Sequence, residues 1–176
     1  VAFYGILWYN QDIMNVRFTD EMNPSRAARV TDVLRAPRLW IPTAKDYGPG
    51  HKDWLAKVEH ELAVGARYAL HAQVDGRSAG AVIWRSNETD PTLMDIRNIS
   101  IDPAMNGRYF GAFMLRNAEF LMREQHPSVR TVQVDTKTTN PDMRAFLARQ
   151  GYTEVGVADL YGSGKLDVLL HKTIGE

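Results

Sequence analysis

Asp95-Ile96-Arg97-Asn98-Ile99-Ser100-Ile101 reads as a strand, and Asp102-Pro103 breaks it. The loop Ala104-Met105-Asn106-Gly107-Arg108-Tyr109-Phe110-Gly111 follows, and an amphipathic helix runs on from about Gly111 to Glu124. A strand that feeds a glycine-bearing loop at the start of a helix is a device for holding phosphate. The first N–H groups of a helix lack internal partners, and the helix dipole is positive there. Gly107 and Gly111 allow unusual dihedrals and let a ligand come close to the backbone. The loop has neither the G-x-G-x-x-G spacing of a dinucleotide site nor the Gly-Lys-Ser/Thr of a P-loop.

Further along, Asn140-Pro141-Asp142-Met143-Arg144-Ala145-Phe146-Leu147-Ala148-Arg149-Gln150-Gly151-Tyr152 reads as a second helix. Asn140 is its N-cap, Pro141 its first helical residue and Gly151 its stop. Phe146 and Tyr152 are expected in the core.

The two segments together resemble the GNAT N-acetyltransferase superfamily. There the fourth strand ends in a Val/Ile-x-Pro step and enters an Arg/Gln-x-x-Gly-x-Gly/Ala loop that binds the acyl-CoA pyrophosphate. Ile101-Asp102-Pro103 matches the strand end. In the loop, Asn106 stands where Arg or Gln is usual, Tyr109 stands at the first glycine, and Gly111 keeps the second. The later segment is similar to the family's Asn-x-x-Ala-x-x-Phe-Tyr-x-x-x-Gly-Phe motif, with Met143 at the Ala position and Leu147 at the Tyr position. The resemblance spans about residues 15 to 173. Its motifs are specific in the second half and topological before it.

The resemblance implies an α/β fold: one GNAT-like three-layer domain over residues 1–176, with a mixed, twisted central sheet flanked by helices. It implies acetyl-CoA as cosubstrate. The residues it points to are Ile99 and Ile101 on the strand, Asn106, Gly107, Arg108, Tyr109, Phe110, Gly111 and Ala112 in the loop and helix start, and Asn140. The expected reaction is acetyl transfer to a primary amine of a small molecule or peptide, by direct attack. Two alternatives stay open: acylation of a macromolecular amine, such as a protein terminus or aminoacyl-tRNA, and a CoA-binding module without catalysis.

Such a transfer needs a proton acceptor for the amine, and often a donor for the departing thiolate. Asp95 lies on the strand where several family members carry a catalytic carboxylate. Flanked by apolar neighbours, it is a candidate base; the competing reading is an Asp at the strand's solvent end, paired with Arg97. Leu147 cannot donate a proton where many relatives have Tyr. Tyr161, in Asp159-Leu160-Tyr161-Gly162-Ser163-Gly164, is a candidate substitute, set against water as donor and against a plain surface-turn aromatic.

One feature of the strand from Asp95 has two readings. Met94 and Ile96 are apolar at even positions, whereas Ile99 and Ile101 are apolar at odd ones. Either a β-bulge near Arg97-Asn98 shifts the parity, or the strand is buried on both faces. In the resembled family a bulge here splays two strands and opens a slot for the pantetheine arm.

Composition narrows the classes. The 176 residues carry 21 Lys plus Arg against 21 Asp plus Glu, a net charge of zero, which argues against a broad nucleic-acid surface. There is no cysteine, so disulfides, thiolate metal ligands and a cysteine nucleophile are excluded within this chain, and a reducing, cytoplasmic setting is the expectation. No run of apolar residues is long enough to span a membrane. Phe3-Tyr4-Gly5-Ile6-Leu7-Trp8-Tyr9 is apolar but lacks the flanks of a signal peptide. Residues 1–14 are read as an extra strand or tail, or as an aromatic wall of an acceptor cleft.

The remaining elements are expected as follows. Asn15-Val16-Arg17-Phe18-Thr19 is a strand, and Asn23-Pro24 caps a helix to about Leu34. Pro37 to Gly50 is a loop, and His51 to about Val64 a helix. Arg67–Val74 and Ser78–Arg85 form a hairpin about Asp75-Gly76. Val129–Asp135 and Lys165–Lys172 are further strands. His51, His60 and His71 form no ligand set, and His60-Glu61 lacks the second His of a zinc protease. Trp40, Tyr47 and Trp54 are assigned to the core in preference to an acceptor site.

Overall fold

The computed structural model describes residues 16–20, 50–105, 107 and 109–174. The readings made for residues 1–14, for the helix after Asn23-Pro24, for the loop from Pro37, and for Trp40, Tyr47, Asn106 and Arg108 lie outside them.

In chain order the described elements are β1 (Val16–Asp20), α1 (His51–Ala63), β2 (Tyr68–Val74), β3 (Arg77–Ser86), β4 (Leu93–Ile101), a 3-10 turn (Pro103–Met105), α2 (Phe110–Gln125), β5 (Thr131–Lys137), α3 (Pro141–Arg149), β6 (Thr153–Ala158) and β7 (Asp167–Thr173). The strands form one mixed sheet in the order β1-β2-β3-β4-β5-β7-β6. β4 and β5 run parallel, with Leu93 opposite Thr131 and Ile96 opposite Val134. β5 with β7, β6 with β7, β2 with β3 and β1 with β2 are antiparallel. This is the mixed α/β fold that the motifs led us to expect. Two compact units divide the chain. Among the described residues, one comprises those up to Trp84 together with those of Asn98–Ala118, the other Arg85–Arg97 and those from Glu119 on.

In the first unit, β2 and β3 meet through Asp75 (φ 49°) and Gly76 (φ 74°), both left-handed as a type I′ hairpin turn requires. α1 places Leu55, Val58 and Leu62 on one face, where they pack against Ala69 and the β3 residues Ala81 and Ile83. Each fully buried side chain of this kind is worth roughly 1.5–3 kcal/mol. Trp54 packs at the margin of the same cluster, as a core residue does. Gly80 has a specific reason to be glycine. A Cβ there would lie 2.7 Å from the Sδ of Met114 and 2.7 Å from the carbonyl oxygen of Ser100.

In the second unit, Val132 and Val134 of β5 and Val168 and Leu170 of β7 are buried, as are Leu147 of α3 and Met122 of α2. Tyr152 is buried too, as expected, and its hydroxyl donates to Oε1 of Glu119 (2.9 Å). Lys172 Nζ donates to the other oxygen (2.6 Å), so the buried carboxylate is paired and bonded. Burial and the Glu119 charge together push the Tyr152 hydroxyl far above its ordinary pKa.

β6 is a strand that sequence reading missed. All six of its residues are exposed, so no buried face imprints a pattern on Thr153-Glu154-Val155-Gly156-Val157-Ala158. It exists through its ladder with β7, which is irregular between Glu154 and Gly156. The parity change in β4 resolves differently from a flip in burial. Even positions stay the more buried ones throughout, and past Arg97 they are polar: Asn98 and Ser100 are buried, and the Ser100 hydroxyl donates to Asn98 Oδ1 (2.6 Å).

Candidate functional site

The turn into α2 is built from backbone. Asp102 holds its start, because its side chain accepts from Ala104 N (2.9 Å) and its carbonyl from Met105 N (2.8 Å). Gly107 (φ 73°) and Tyr109 (φ 57°) are both left-handed. For a tyrosine that conformation costs roughly 1–2 kcal/mol, whereas a glycine would adopt it freely. Tyr109 stands where the resembled motif has its first glycine, and the backbone there has kept the glycine conformation. α2 begins at the next residue, and its first ladder bond runs from Phe113 N to the Tyr109 carbonyl (3.0 Å). The N–H groups of Phe110, Gly111 and Ala112 precede that bond and are the orphan donors of a helix start. No acidic residue occupies the first turn of α2.

The side chains of Phe110 and Ala112 are buried, so these two residues offer a ligand their backbone only. Ile99 and Ile101 are half-buried on β4. A Cβ at Gly107 would meet nothing within 4 Å, which leaves the turn open for a bulky anion. These features suit the phosphates of a nucleotide-bearing cosubstrate. Asn140 caps α3: its side-chain oxygen accepts from Met143 N (3.2 Å), with Pro141 opening the helix.

The second unit carries a polar sheet face. Along β5 the odd residues Gln133, Asp135 and Lys137 share it, and across the ladder lie His171 and Asp167 of β7. Asp95 of β4 is only 5% exposed. Asn87 Nδ2 donates to both its oxygens (3.2 Å each), Gln133 Nε2 donates to Oδ1 (3.1 Å), and Arg85 Nε lies 3.9 Å from Oδ2. With its amide nitrogen turned to Asp95, Gln133 presents its oxygen to His171 Nε2 (2.8 Å), which is therefore the protonated ring nitrogen. Arg97, the partner considered for Asp95, instead reaches Asp135 (Nη1 to Oδ1, 3.4 Å).

Tyr161 joins that second pair. Its hydroxyl donates to Asp135, 2.9 Å from Oδ2 and 3.0 Å from Oδ1, and accepts from Arg97 Nη2 (2.7 Å). The Lys137 ammonium and the Arg97 guanidinium lie 5.3 and 5.6 Å from its ring centre. The Gly-Ser-Gly loop looks loose in sequence, yet Asp159 ties it: Oδ1 accepts from Ser163 N (2.9 Å) and Oδ2 from Gly164 N (2.7 Å). Burial raises the pKa of the Asp135 carboxyl, opposed by Arg97 and by the Tyr161 hydrogen bond. Burial also raises that of the Tyr161 hydroxyl, helped by the Asp135 charge. The structure thus puts Asp95 and Tyr161 in two different clusters. Sequence reading missed Asp135, although its alternation with Val132 and Val134 was the available signal.

Among the described residues no group of three or more His, Asp or Glu is placed to hold a metal ion, and no helix is long and apolar enough to cross a membrane.

Residues 29–152 match the model of the acetyltransferase (GNAT) family. Solved structures repeat the fold. An acetyltransferase of the GNAT family from Desulfovibrio desulfuricans superposes with a TM-score of 0.72 at 18% identity, over 91% of this chain and 99% of its own. An aminoglycoside 6'-N-acetyltransferase complexed with coenzyme A gives 0.68 at 17% identity, over 92% and 97%. The ribosomal-protein-S18-alanine N-acetyltransferase of Escherichia coli gives 0.62 at 11% identity, over 93% and 96%. No functionally curated protein matches the sequence. The family match covers well over half of the residues, and the chain belongs to the GNAT family of acetyltransferases.

Proposed function

We propose that the chain transfers an acetyl group from acetyl-CoA to the nitrogen of a primary amine, by direct attack. The observation that carries this reading is the turn into α2. Left-handed Gly107 and Tyr109 precede a helix start with orphan N–H groups and no acid in its first turn. The N–H groups of Phe110, Gly111 and Ala112 would hold the pyrophosphate, with Gly107 giving it room. Asn106 and Arg108 belong to the same proposed loop. Ile99 and Ile101 would border the acyl arm, and Asn140 would add a polar contact while capping α3. Bound acetyl-CoA supplies the activated acyl thioester. Within this chain there is no cysteine to carry an acyl group, which supports attack by the amine itself.

The test is release of CoA thiol from acetyl-CoA with spermidine, tyramine, kanamycin, a lysine-bearing peptide and a peptide with a free N-terminus. The protein contributes no thiol background. We expect release with at least one small amine. Release only with the peptides would move the acceptor to a macromolecule, and binding of acetyl-CoA without release under any condition would leave a CoA-binding module.

A further inference from the structure

We propose that Asp135 is the group that takes the proton from the acceptor ammonium, and that Tyr161 and Arg97 position it. This inference rests on the acetyl-transfer reading above.

Among the described residues three aspartates lie on the polar face, and Asp135 has the most exposed side chain of the three. Asp167 is 1% exposed and paired with Lys137 at 2.7 Å. Asp95 is 5% exposed, with both oxygens bonded by Asn87 and one of them also by Gln133. Asp135 is half-buried. Its Oδ1 faces Arg97 and Tyr161, while among the described residues Oδ2 accepts a hydrogen bond from Tyr161 alone. A carboxylate oxygen accepts two bonds readily, so Oδ2 retains a lone pair for an incoming N–H.

Its place in the sheet sets it apart. The parallel ladder of β4 and β5 ends at Ile96 opposite Val134. Arg97 and Asp135 are the next residue on each strand, linked there through their side chains. The groups that face Asp135 are Arg97 from β4, Lys137 from its own strand, Asp167 from β7 and Tyr161 from the β6–β7 loop. Tyr161 has one proton, and it is committed to Asp135. Arg97 donates to both the hydroxyl and the carboxylate, which fixes the rotamers of all three.

The step balances. An N–H bond of the ammonium breaks, its electron pair stays on nitrogen, and the proton forms an O–H bond on Asp135 Oδ2. The freed pair makes the bond from nitrogen to the acyl carbon as the carbon–sulfur bond breaks. The second proton shed by nitrogen neutralises the departing thiolate, and Asp135 returns its own proton to solvent. Burial raises the pKa of Asp135, which suits a group that must hold a proton in passing.

The experiment uses the amine that gives the fastest CoA release with the wild-type chain. Asp135→Asn should lower kcat at least about a hundredfold, with acetyl-CoA affinity by calorimetry unchanged, and Asp135→Glu should restore part of the rate. Wild-type turnover in Asp135→Asn would overturn the proposal. Tyr161→Phe gives a second measure that does not depend on how well Asp135→Asn folds. It removes a hydrogen bond that stabilises the carboxylate, so the acid limb of kcat/KM against pH should move to higher pH. An acid limb that stays in place would also overturn it. Absence of CoA release by the wild type with every amine would defeat the acetyl-transfer reading itself, a different result from either.

Discussion

The Tyr161 hydroxyl lies 2.9 Å from Oδ2 of Asp135, donating to the carboxylate while accepting from Arg97. A proton held between a carboxylate and its own ring oxygen is poorly placed to serve a departing thiolate. Burial and the Asp135 charge raise the pKa of this hydroxyl, so it stays protonated across the pH range in which the chain would work. The expected pH profile therefore has no basic limb belonging to Tyr161, and Tyr161→Phe should leave the basic side unchanged while shifting the acid side. Loss of a basic limb in the mutant would restore Tyr161 as the proton donor.

Acetyl-CoA should stabilise the folded chain. At about a hundred times its dissociation constant the ligand adds roughly 2.7 kcal/mol. Thermal unfolding with and without acetyl-CoA measures this, and an unchanged Tm at millimolar ligand would remove the cosubstrate from the account.

The entry to α2 can be probed at two glycine positions of the family's loop. Gly111→Val should abolish acetyl-CoA binding and leave the domain folded, because the new side chain crowds the first N–H groups of the helix. Tyr109→Gly should keep binding, since its backbone already has a glycine's φ of 57°. Calorimetry decides both; retained affinity in Gly111→Val would place the phosphates elsewhere.

Asp95→Asn should act on stability more than on turnover. Amide donors from Asn87 and Gln133 surround the carboxylate, and a second amide would turn N–H toward N–H. We expect a loss of about 1–3 kcal/mol in chemical unfolding, and a smaller fall in kcat than for Asp135→Asn. The reverse order would make Asp95 the base.

Gly80→Ala should lower stability by about 1–3 kcal/mol, because its Cβ would sit 2.7 Å from the backbone oxygen of Ser100, which cannot rotate away. Unfolding midpoints of the two proteins test this directly.

Much of this fold could be read along the chain. The hairpin at Asp75-Gly76, the Asn140 cap with Pro141, and the run from β4 into α2 depend on neighbours in sequence, through dihedral preference and unpaired N–H groups. β6 could not be read, because an edge strand exposed on both faces carries no buried periodicity and is held by β7 alone. The pair Asn98 and Ser100 misled for a related reason. Polar residues took the buried positions of β4, where they satisfy each other, so the apolar pattern shifted and the burial did not.

By itself the sequence determined the family and the turn into α2, since a left-handed turn and a helix start are local physics. Only the tertiary structure decided which carboxylate has a lone pair to spare. Asp95 and Asp135 are alike as residues in alternating strands. They differ because Asn87 and Gln133 converge on one, while Arg97 and Tyr161, the latter 26 residues further along the chain, converge on the other. Hydrogen bonds between residues so far apart in sequence form only when the strands that carry them have paired.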